Sequence, residues 1–560
     1  MRTMIGARAP VWAVSAMLAF LLAACGTSTS VPNNSQALSS SAAAPSRTDV
    51  CPTAVDPMRF ASADDLWADN SLLAELGLRP TASPSHQKFL DWISQRLDTI
   101  PGLRRRAMDF PINNRWLEKS VLLDAGLASG ALSSIRVSSP VPYAKVTPTL
   151  GVTAPMIYVP MGTSISSANV KDKIVLRDAA LSSVPNAVFF ALQWWTYDPD
   201  LTLTKTLGDD YERDFLGLDQ RITDLNEAGI ASAAGLVFMH GFPHAQVLGH
   251  YAPDEGLNWL VPALYVGADE AEQLKALAAA GGVARIRLEA EESAAMTQTL
   301  IATLPGASSE RLVVESHTDG TNAHEDNGPV AMVSMLKYFS SLPQSCLPKT
   351  LEFVFTTSHF HQHIFPEVRD GGAEQYAREL DRDFDNGSVA MTLVLEHLGT
   401  RGYAAVPRAD GGPGRELKLT GLPETKSIFI NNSPVLVATV AQTVADHDDR
   451  GFIALRGADL PGAHIPLHFS LGGEGTPYNK HLIPTVAYIT SPWPLFSPAY
   501  GMDAIDKEQL HRQTLMFTDM ILRLSGISRY LLAGPILAER QARDLACMQG
   551  QPSLVAYCKP

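Results

Sequence analysis

The stretch VVESHTD at residues 313–319, followed by EDNG at residues 325–328, is the most informative part of this 560-residue chain. Its apolar residues predict a buried strand that ends in a His-x-Asp pattern, and a short loop then leads to an acidic pair at the start of a helix. The carboxyl ends of parallel strands share one edge of a sheet, where imidazole and carboxylate side chains suit zinc. The stretch therefore indicates a sheet that presents metal ligands.

Two other apolar runs end in residues of the same chemical kind. Residues 353–358 lead to His359, and residues 391–395 lead to Glu396. Because such strand ends converge, we expect an imidazole and two carboxylates, His317, Asp326 and Glu396, to form a zinc site with an open position for water.

The surrounding pattern alternates strands with helices, which predicts an α/β fold with a mostly parallel mixed sheet flanked by helices. Predicted strands lie at 299–303, 312–315, 351–355, 390–395 and 485–489, and predicted helices lie at 330–340 and 507–524, the latter with Asp506 as N-cap.

The N-terminus has the composition of an export signal. Two arginines precede an apolar stretch that ends in LAACG at residues 22–26, which resembles the bacterial lipobox in which Cys25 is lipidated. We interpret 1–25 as a lipoprotein signal peptide and 26–50 as a disordered tether, since the latter is poor in large apolar residues. The chain is therefore expected to be exported and anchored by lipid to the outer face of a bacterial membrane.

Four cysteines remain in the exported part, namely Cys51, Cys346, Cys547 and Cys558. An even number in an exported chain favours two disulfides over a metal cluster. Three pairings are open; the short separation suggests Cys547 with Cys558, which leaves Cys51 with Cys346. The first of these would staple a C-terminal extension at 531–560.

The net charge of −14 argues against a nucleic-acid partner, because such a chain repels phosphate. For the same reason, we expect membrane contact only through the N-terminal lipid.

The middle of the chain differs in texture from its flanks. Residues 141–295 contain short β-branched runs, among them KIVL at 173–176 and PALYV at 262–266, and resemble a protease-associated domain. We interpret this stretch as a β-rich α/β insertion between an N-terminal helical part at 51–140 and the main domain at 296–530. Domains of this kind cover or shape a peptidase site.

Residues 78–93, 317–328, 393–399 and 484–488 together resemble the M28 family of zinc aminopeptidases. The resemblance implies a zinc-exopeptidase-like fold, a peptide substrate and a pair of zinc ions. It further implies that His317 is the first ligand, Asp326 the bridging ligand and Glu396 a later acidic ligand, while Asp319 supports the first histidine. These three ligands belong to one metal of the pair.

The other half of the family's site is missing from this sequence. His359 and Phe360 stand where the family has Glu-Glu, and residues 473–475, Gly-Glu-Gly, stand where it has Ser-Asp-His. Phenylalanine and glycine cannot bind a metal through their side chains, so we expect a single zinc ion, or none if the chain is not catalytic.

His359 is then the main candidate for proton transfer. Its imidazole could act as the catalytic base, bind the metal as a fourth ligand, or only fill the core. His361 and His363 would share its face if the strand continued. Glu474 and Glu325 are additional candidates for the site, and we interpret His240 and His250 as loop residues outside it.

The sequence thus predicts a metallopeptidase-like protein that hydrolyses peptide bonds at peptide N-termini with a metal-bound water. Two alternatives remain open: a catalytically inactive surface-binding protein of the same fold, and amide chemistry similar to that of glutaminyl cyclases.

Overall fold

The computed structural model describes residues 51–361, 363–365, 368–459 and 462–559. Cys25, the signal segment and the tether lie outside these residues, so export and lipid anchoring stay predictions. No helix in the described part of the chain is long and apolar enough to span a bilayer.

The strands, in chain order, are β1 (Arg104–Leu127), β2 (Ser133–Ile135), β3 (Ser139–Pro140), β4 (Val152–Tyr158), β5 (Ile174–Asp178), β6 (Ser182–Pro185), β7 (Gln193–Tyr197), β8 (Asp210–Arg213), β9 (Gly235–Met239), β10 (Ala263–Val266), β11 (Gly282–Leu304), β12 (Arg311–His317), β13 (Thr350–Thr356), β14 (His363–Phe365), β15 (Val368–Asp370), β16 (Val389–Leu395), β17 (Arg401–Pro407), β18 (Arg415–Pro423), β19 (Lys426–Ile430), β20 (Phe452–Leu455) and β21 (Thr485–Ile489).

The helices are α1 (Ala63–Leu76), α2 (Pro84–Asp98), α3 (Asn186–Ala191), α4 (Leu218–Ile230), α5 (Ala268–Ala279), α6 (Gly328–Ser340), α7 (Gly372–Asp385), α8 (Pro434–Asp446), α9 (Gly475–Lys480), α10 (Lys507–Ser525), α11 (Arg529–Ala533) and α12 (Ile536–Met548). The predicted N-cap of α10 is confirmed, because the Asp506 carboxylate accepts a hydrogen bond from the Gln509 amide at 2.8 Å.

A mixed sheet carries the predicted site. Its central strands run in the order β11-β13-β12-β16-β21-β19-β20-β7, and β13, β12, β16 and β21 are parallel to their neighbours in that group. Every residue of β13 and β16 is buried, as expected for strands covered on both faces. The predicted α/β class and mostly parallel sheet are confirmed.

Alternate side chains of these strands enter two different cores. Val314 and Leu393 pack with α1, α2, α6, α8 and α10, whereas Val313 and Val394 pack with α7 and with Ala533 of α11. Helix α6 begins very close to the sheet, since a Cβ on Gly328 would lie 2.3 Å from the Leu395 carbonyl oxygen. This contact fixes the loop before α6 against the ends of β12 and β16.

A long antiparallel ribbon links this sheet to the strands of the middle segment. β1 pairs with β11 along nearly its whole length, while opposite ends of β11 pair with β13 and with β4. Strands β4, β5, β9 and β10 then form a parallel group beside it. The sequence prediction missed β1, and its strand at 299–303 is only the last part of β11; the insertion boundaries at 141 and 295 stay a prediction.

The described cysteines form two disulfides, Cys51 with Cys346 and Cys547 with Cys558. This is the pairing that the short loop favoured among the three that were open.

Strand β13 does not continue towards the histidine run that follows it. Ser358 has a φ of +68°, which turns the chain after Thr356. His359 therefore enters the site, whereas the His361 Nδ1 lies 2.8 Å from the Tyr143 hydroxyl. The side chain of His363 lies outside the described part, so the shared face is not defined for it.

Candidate functional site

The carboxyl ends of β12, β13 and β16 bring His317, His359 and Glu396 together, as the sequence predicts. The rings of His317 and His359 stack with centroids 4.1 Å apart and planes 16° apart. The His317 Nε2 lies 3.8 Å from a Glu396 carboxylate oxygen. Three residues that are distant in sequence thus share one buried region at the edge of the sheet.

The orientation of His317 is fixed by the loop that follows it. Its Nδ1 lies 2.8 Å from the Asp319 carbonyl oxygen, so the neutral ring donates from Nδ1 and keeps the lone pair on Nε2. That Nε2 is buried and has no hydrogen-bond partner. Burial also lowers the pKa of the imidazole well below its usual value, which favours the neutral form that binds metals.

Asp326 lies in a different environment from the one predicted for a bridging ligand. Both of its carboxylate oxygens are engaged by the guanidinium of Arg79, with Nε at 2.9 Å from one oxygen, and both side chains are fully buried. Glu325 occupies the expected place instead, since its Oε1 lies 3.9 Å from the His317 Nε2. The structure therefore does not bring Asp326 into the group formed by His317 and Glu396, and its role as a metal ligand stays an untested prediction.

His397 is a site residue that the sequence reasoning missed. It follows Glu396 directly at the end of β16 and has a φ of +57°, which turns its ring towards the same region. Its Nδ1 contacts the Thr490 carbonyl oxygen, while its buried Nε2 has no hydrogen-bond partner and lies 3.8 Å from Glu396. A histidine next to an acid at the end of a buried strand was the signal that could have identified it.

These side chains fit a single divalent ion. Ligand atoms of His317, Glu325 and His397 all lie within 4.8 Å of one another, and Glu396 faces both imidazoles. Two buried imidazole nitrogens without partners and two carboxylates form a donor set that suits zinc. Burial raises the pKa of Glu396 to about 7 and lowers that of His397 to about 4.

His359 forms a dyad with Glu474. Its Nδ1 is hydrogen-bonded to the Glu474 carboxylate, and its Nε2 lies 3.8 Å from Glu325. Burial alone would lower the pKa of the His359 imidazole, but the hydrogen bond and charge of Glu474 outweigh burial and raise it well above its usual value. The ring is 18% exposed, so it lies at the open side of the cluster.

Asp319 positions both halves of this arrangement. Its carbonyl oxygen orients His317, and its carboxylate accepts hydrogen bonds from the amides of His359 at 3.2 Å and Phe360 at 2.9 Å. The predicted support of His317 thus comes from the backbone of Asp319, while its side chain holds the loop that carries His359.

Phe360 and Gly475, which the resemblance places where the family binds a second ion, lie in closely packed surroundings. Phe360 is fully buried, with its ring 5.4 Å from that of Tyr251. A Cβ on Gly473 would lie 2.3 Å from a Glu396 carboxylate oxygen, and a Cβ on Gly475 would lie 2.4 Å from that of Ala487. These two glycines allow the close approach of the loop that delivers Glu474.

A second group of possible ligands lies in the middle segment. Asp214, His240 and His250 are buried together. The two histidines lie in loops and in a group separate from the candidate ligands, as interpreted, but the sequence reasoning did not predict that they would be buried with an acid. The guanidinium of Arg221 lies 2.7 Å from Asp214 and 3.1 Å from the His250 Nε2. This buried cation already neutralises the one carboxylate, which disfavours an added divalent ion.

No protein-family model matches the sequence, and no curated protein does. Solved structures do match the fold. The zinc aminopeptidase BSAP from Bacillus subtilis aligns with a TM-score of 0.54 and 15% identity, over 82% of this chain and 95% of that one. A peptidase M28 precursor from Shewanella amazonensis SB2B aligns with a TM-score of 0.56 and 16% identity, over 83% of this chain and 94% of that one. At such identities the likeness establishes a zinc-exopeptidase-like fold.

Proposed function

We propose that the chain is a zinc-dependent aminopeptidase with one metal ion, which hydrolyses the N-terminal peptide bond of peptides. The observation that carries this proposal is the pair of buried Nε2 atoms of His317 and His397, both without partners and both facing Glu396. Burying two such nitrogens is costly unless a ligand satisfies them. The fold of the solved zinc aminopeptidases gives independent support.

When bound, zinc would polarise the scissile carbonyl and make a water molecule a stronger nucleophile. His317, Glu325, Glu396 and His397 would hold it. His359 is the catalytic residue that accepts the proton of the attacking water, because its Nε2 faces Glu325 from the exposed side of the cluster. Glu474 binds the other ring nitrogen and so orients the imidazole. Because Glu474 also raises the pKa of His359, the neutral form that accepts a proton is reached only at a pH above the usual histidine range.

The charge of the site also fits a peptide N-terminus. Glu325, Glu396 and Glu474 surround His359. With one divalent ion bound and His359 in its neutral form, the three carboxylates leave one net negative charge if all are ionised. A protonated amino group placed beside them gains favourable electrostatic energy in a region of low dielectric. The open end of the site therefore suits the ammonium group of a peptide better than a carboxylate.

The location and domain organisation belong to the same proposal. The lipobox-like segment ending at Cys25 supports an exported enzyme attached to a bacterial membrane by its N-terminal lipid. The β-rich middle segment supports a protease-associated domain that shapes access to the site.

Zinc content tests the ligand assignment. We expect about one equivalent of zinc in the wild-type protein, and loss of it in Glu325→Gln and in His397→Ala, as measured by inductively coupled plasma mass spectrometry after gel filtration. His464→Ala, at an exposed position, is the matched control. Wild-type zinc content in both site variants would contradict the assignment.

Hydrolysis of amino-acid p-nitroanilides tests the chemistry. His359→Ala should retain zinc and lose about 10²- to 10⁴-fold in rate, the usual contribution of a general base. Loss of zinc in this variant would instead make His359 a ligand. A wild-type protein that holds zinc and hydrolyses no anilide or peptide would contradict the enzymatic proposal.

A further inference from the structure

A large apolar cavity adjoins the candidate site. Its volume is about 550 Å³, and it lies between strands β19 and β20, near the β7 edge of the sheet, and the segment that runs from β6 to β8. Ser427 and Phe429 line it from alternate positions of β19, as the two-residue period of a strand requires, and Thr425 lines it just before the strand begins. The opposite wall includes Phe189 and Tyr211.

The chemistry of the lining excludes a charged ligand group. Most of the lining residues are aliphatic or aromatic, the others are uncharged polar residues and glycines, and no Asp, Glu, Lys, Arg or His of the described chain is among them. This contrasts with the carboxylate-rich site beside it and with the net charge of −14. Apolar cavities of this size are typical of ligand-binding pockets.

Two segments connect the cavity to the site. Gly473 lines the cavity, and its backbone lies so close to Glu396 that a Cβ there would be 2.3 Å from the carboxylate. Leu495 also lines it, and the Leu495 carbonyl oxygen accepts a hydrogen bond from Asn322 at 2.8 Å, within the loop that carries Glu325. A substrate could thus place its reacting bond at the candidate metal ligands and one of its side groups in the cavity.

We propose that this cavity binds a long aliphatic chain of the substrate, so that the enzyme acts on amino-terminal residues or amides carrying an extended hydrocarbon group. The reaction in this proposal rests on the proposed function, whereas binding of the hydrocarbon chain does not depend on it. An apolar cavity of about 150 Å³ already holds a benzene ring. A cavity of about 550 Å³ therefore has room for considerably more than the side chain of leucine.

Binding to metal-free protein tests the cavity without requiring turnover. The probes are the linear amino acids from 2-aminobutyrate to 2-aminodecanoate. Each is titrated by isothermal calorimetry into the full-length protein after treatment with chelator. We expect affinity to rise about three- to fourfold for each added methylene group. Equal affinity for the shortest and longest probes would overturn the proposal.

Two variants place the binding in this cavity. Ser427→Phe fills the space beside β19, and Ala458→Trp fills it from the other side, near the Ser470 backbone. In each, the affinity for 2-aminodecanoate should fall at least tenfold, whereas Ser129→Phe in an exposed turn should leave it unchanged. If a cavity variant folds and still binds 2-aminodecanoate with wild-type affinity, the hydrocarbon chain of the probe binds elsewhere and the proposal is overturned.

Turnover of the matching p-nitroanilides separates this proposal from the proposed function. If all anilides are cleaved at rates independent of chain length, the peptidase proposal stands and the cavity proposal fails. If none is cleaved but long-chain probes still bind in the wild type and not in the cavity variants, the cavity proposal stands and the peptidase proposal fails.

Discussion

At the scale of single residues, the pair formed by Arg79 and Asp326 determines which acid can reach a metal. Both side chains are fully buried, and the guanidinium engages both carboxylate oxygens. Removing one partner of such a pair leaves an unpaired charge in the protein interior, which typically costs 3–5 kcal/mol. We therefore expect Asp326 to have a structural role, while its neighbour Glu325 faces His317.

We expect Asp326→Asn to lower the free energy of unfolding by about 3–5 kcal/mol and to leave the zinc content unchanged. The measurements are urea unfolding followed by circular dichroism and metal analysis of the folded variant. Asp200→Asn, which removes a half-exposed partner of Arg450, is the control and should change stability little. Loss of zinc from a stable Asp326→Asn protein would restore Asp326 as the ligand.

This residue pair also shows how far the sequence predicts the site. The strand ends place His317, His359 and Glu396 correctly, because a parallel sheet brings them to one edge whatever the loops do. The choice between Glu325 and Asp326 depends on a loop conformation and on Arg79, which comes from a distant segment. His397 depends on a backbone turn with positive φ, and no periodicity in the sequence indicates it.

At the scale of elements, a buried ion cluster attaches the C-terminal helix α12 to α7. Asp381 of α7 lies 2.5 Å from Arg540 and 3.1 Å from Arg543, both on α12. Although burial raises the pKa of the Asp381 carboxyl, its hydrogen bond to His481 and the charge of Arg540 hold that pKa well below its ordinary value. The Asp381 carboxyl is therefore ionised near neutral pH and available to both guanidinium groups.

We expect Asp381→Ala to release α12 from α7, because two buried guanidinium groups lose their common partner. Hydrogen exchange should become at least tenfold faster across α12 at pH 7, while β12 and β16 retain their protection. Asp385→Ala is a matched control, since this half-exposed carboxylate also contacts Arg540 and water can replace it. Unchanged exchange in α12 would show that apolar packing alone holds the helix.

The elements themselves were predictable to different degrees. The central strands β12, β13, β16 and β21 were predicted correctly, because each contains a run of apolar residues and is almost entirely buried in the middle of the sheet. Strand β1 did not, since much of it is exposed and its sequence includes Pro111 and two asparagines. Its pairing with β11 is a long-range contact that local pattern does not encode.

At the scale of the whole molecule, buried histidines set the pH range of stability. His86 lies on α2, with its Nε2 2.8 Å from the Thr318 hydroxyl, and His250 lies in the middle segment; both are buried, and neither is a candidate metal ligand. Burial lowers the pKa of His86 to about 4 and that of His250 to about 3. An unfolded chain takes up protons on these residues near pH 6.5, whereas the folded chain does not.

This difference fixes the sign of the pH dependence. Above pH 6.5 both histidines are neutral in both states, so their contribution is fully present. As the pH falls from 6.5 towards 4, the unfolded state gains protons and the folded state loses stability. One pKa unit corresponds to 1.36 kcal/mol, so each histidine should cost about 2 kcal/mol at pH 5 relative to pH 7.

We therefore expect His86 and His250 together to lower the free energy of unfolding of the chelator-treated protein by about 4 kcal/mol between pH 7 and pH 5, whereas groups with a raised pKa, such as Glu396, act in the opposite direction. In His86→Asn the stability at pH 5 relative to that at pH 7 should rise by about 2 kcal/mol in urea unfolding, even if the variant is less stable at both. The exposed His464 supplies the matched control, His464→Asn, which removes an imidazole without opening a buried site. A pH difference in His86→Asn equal to that of the wild type would mean that His86 takes up its proton in the folded protein as readily as in the unfolded chain.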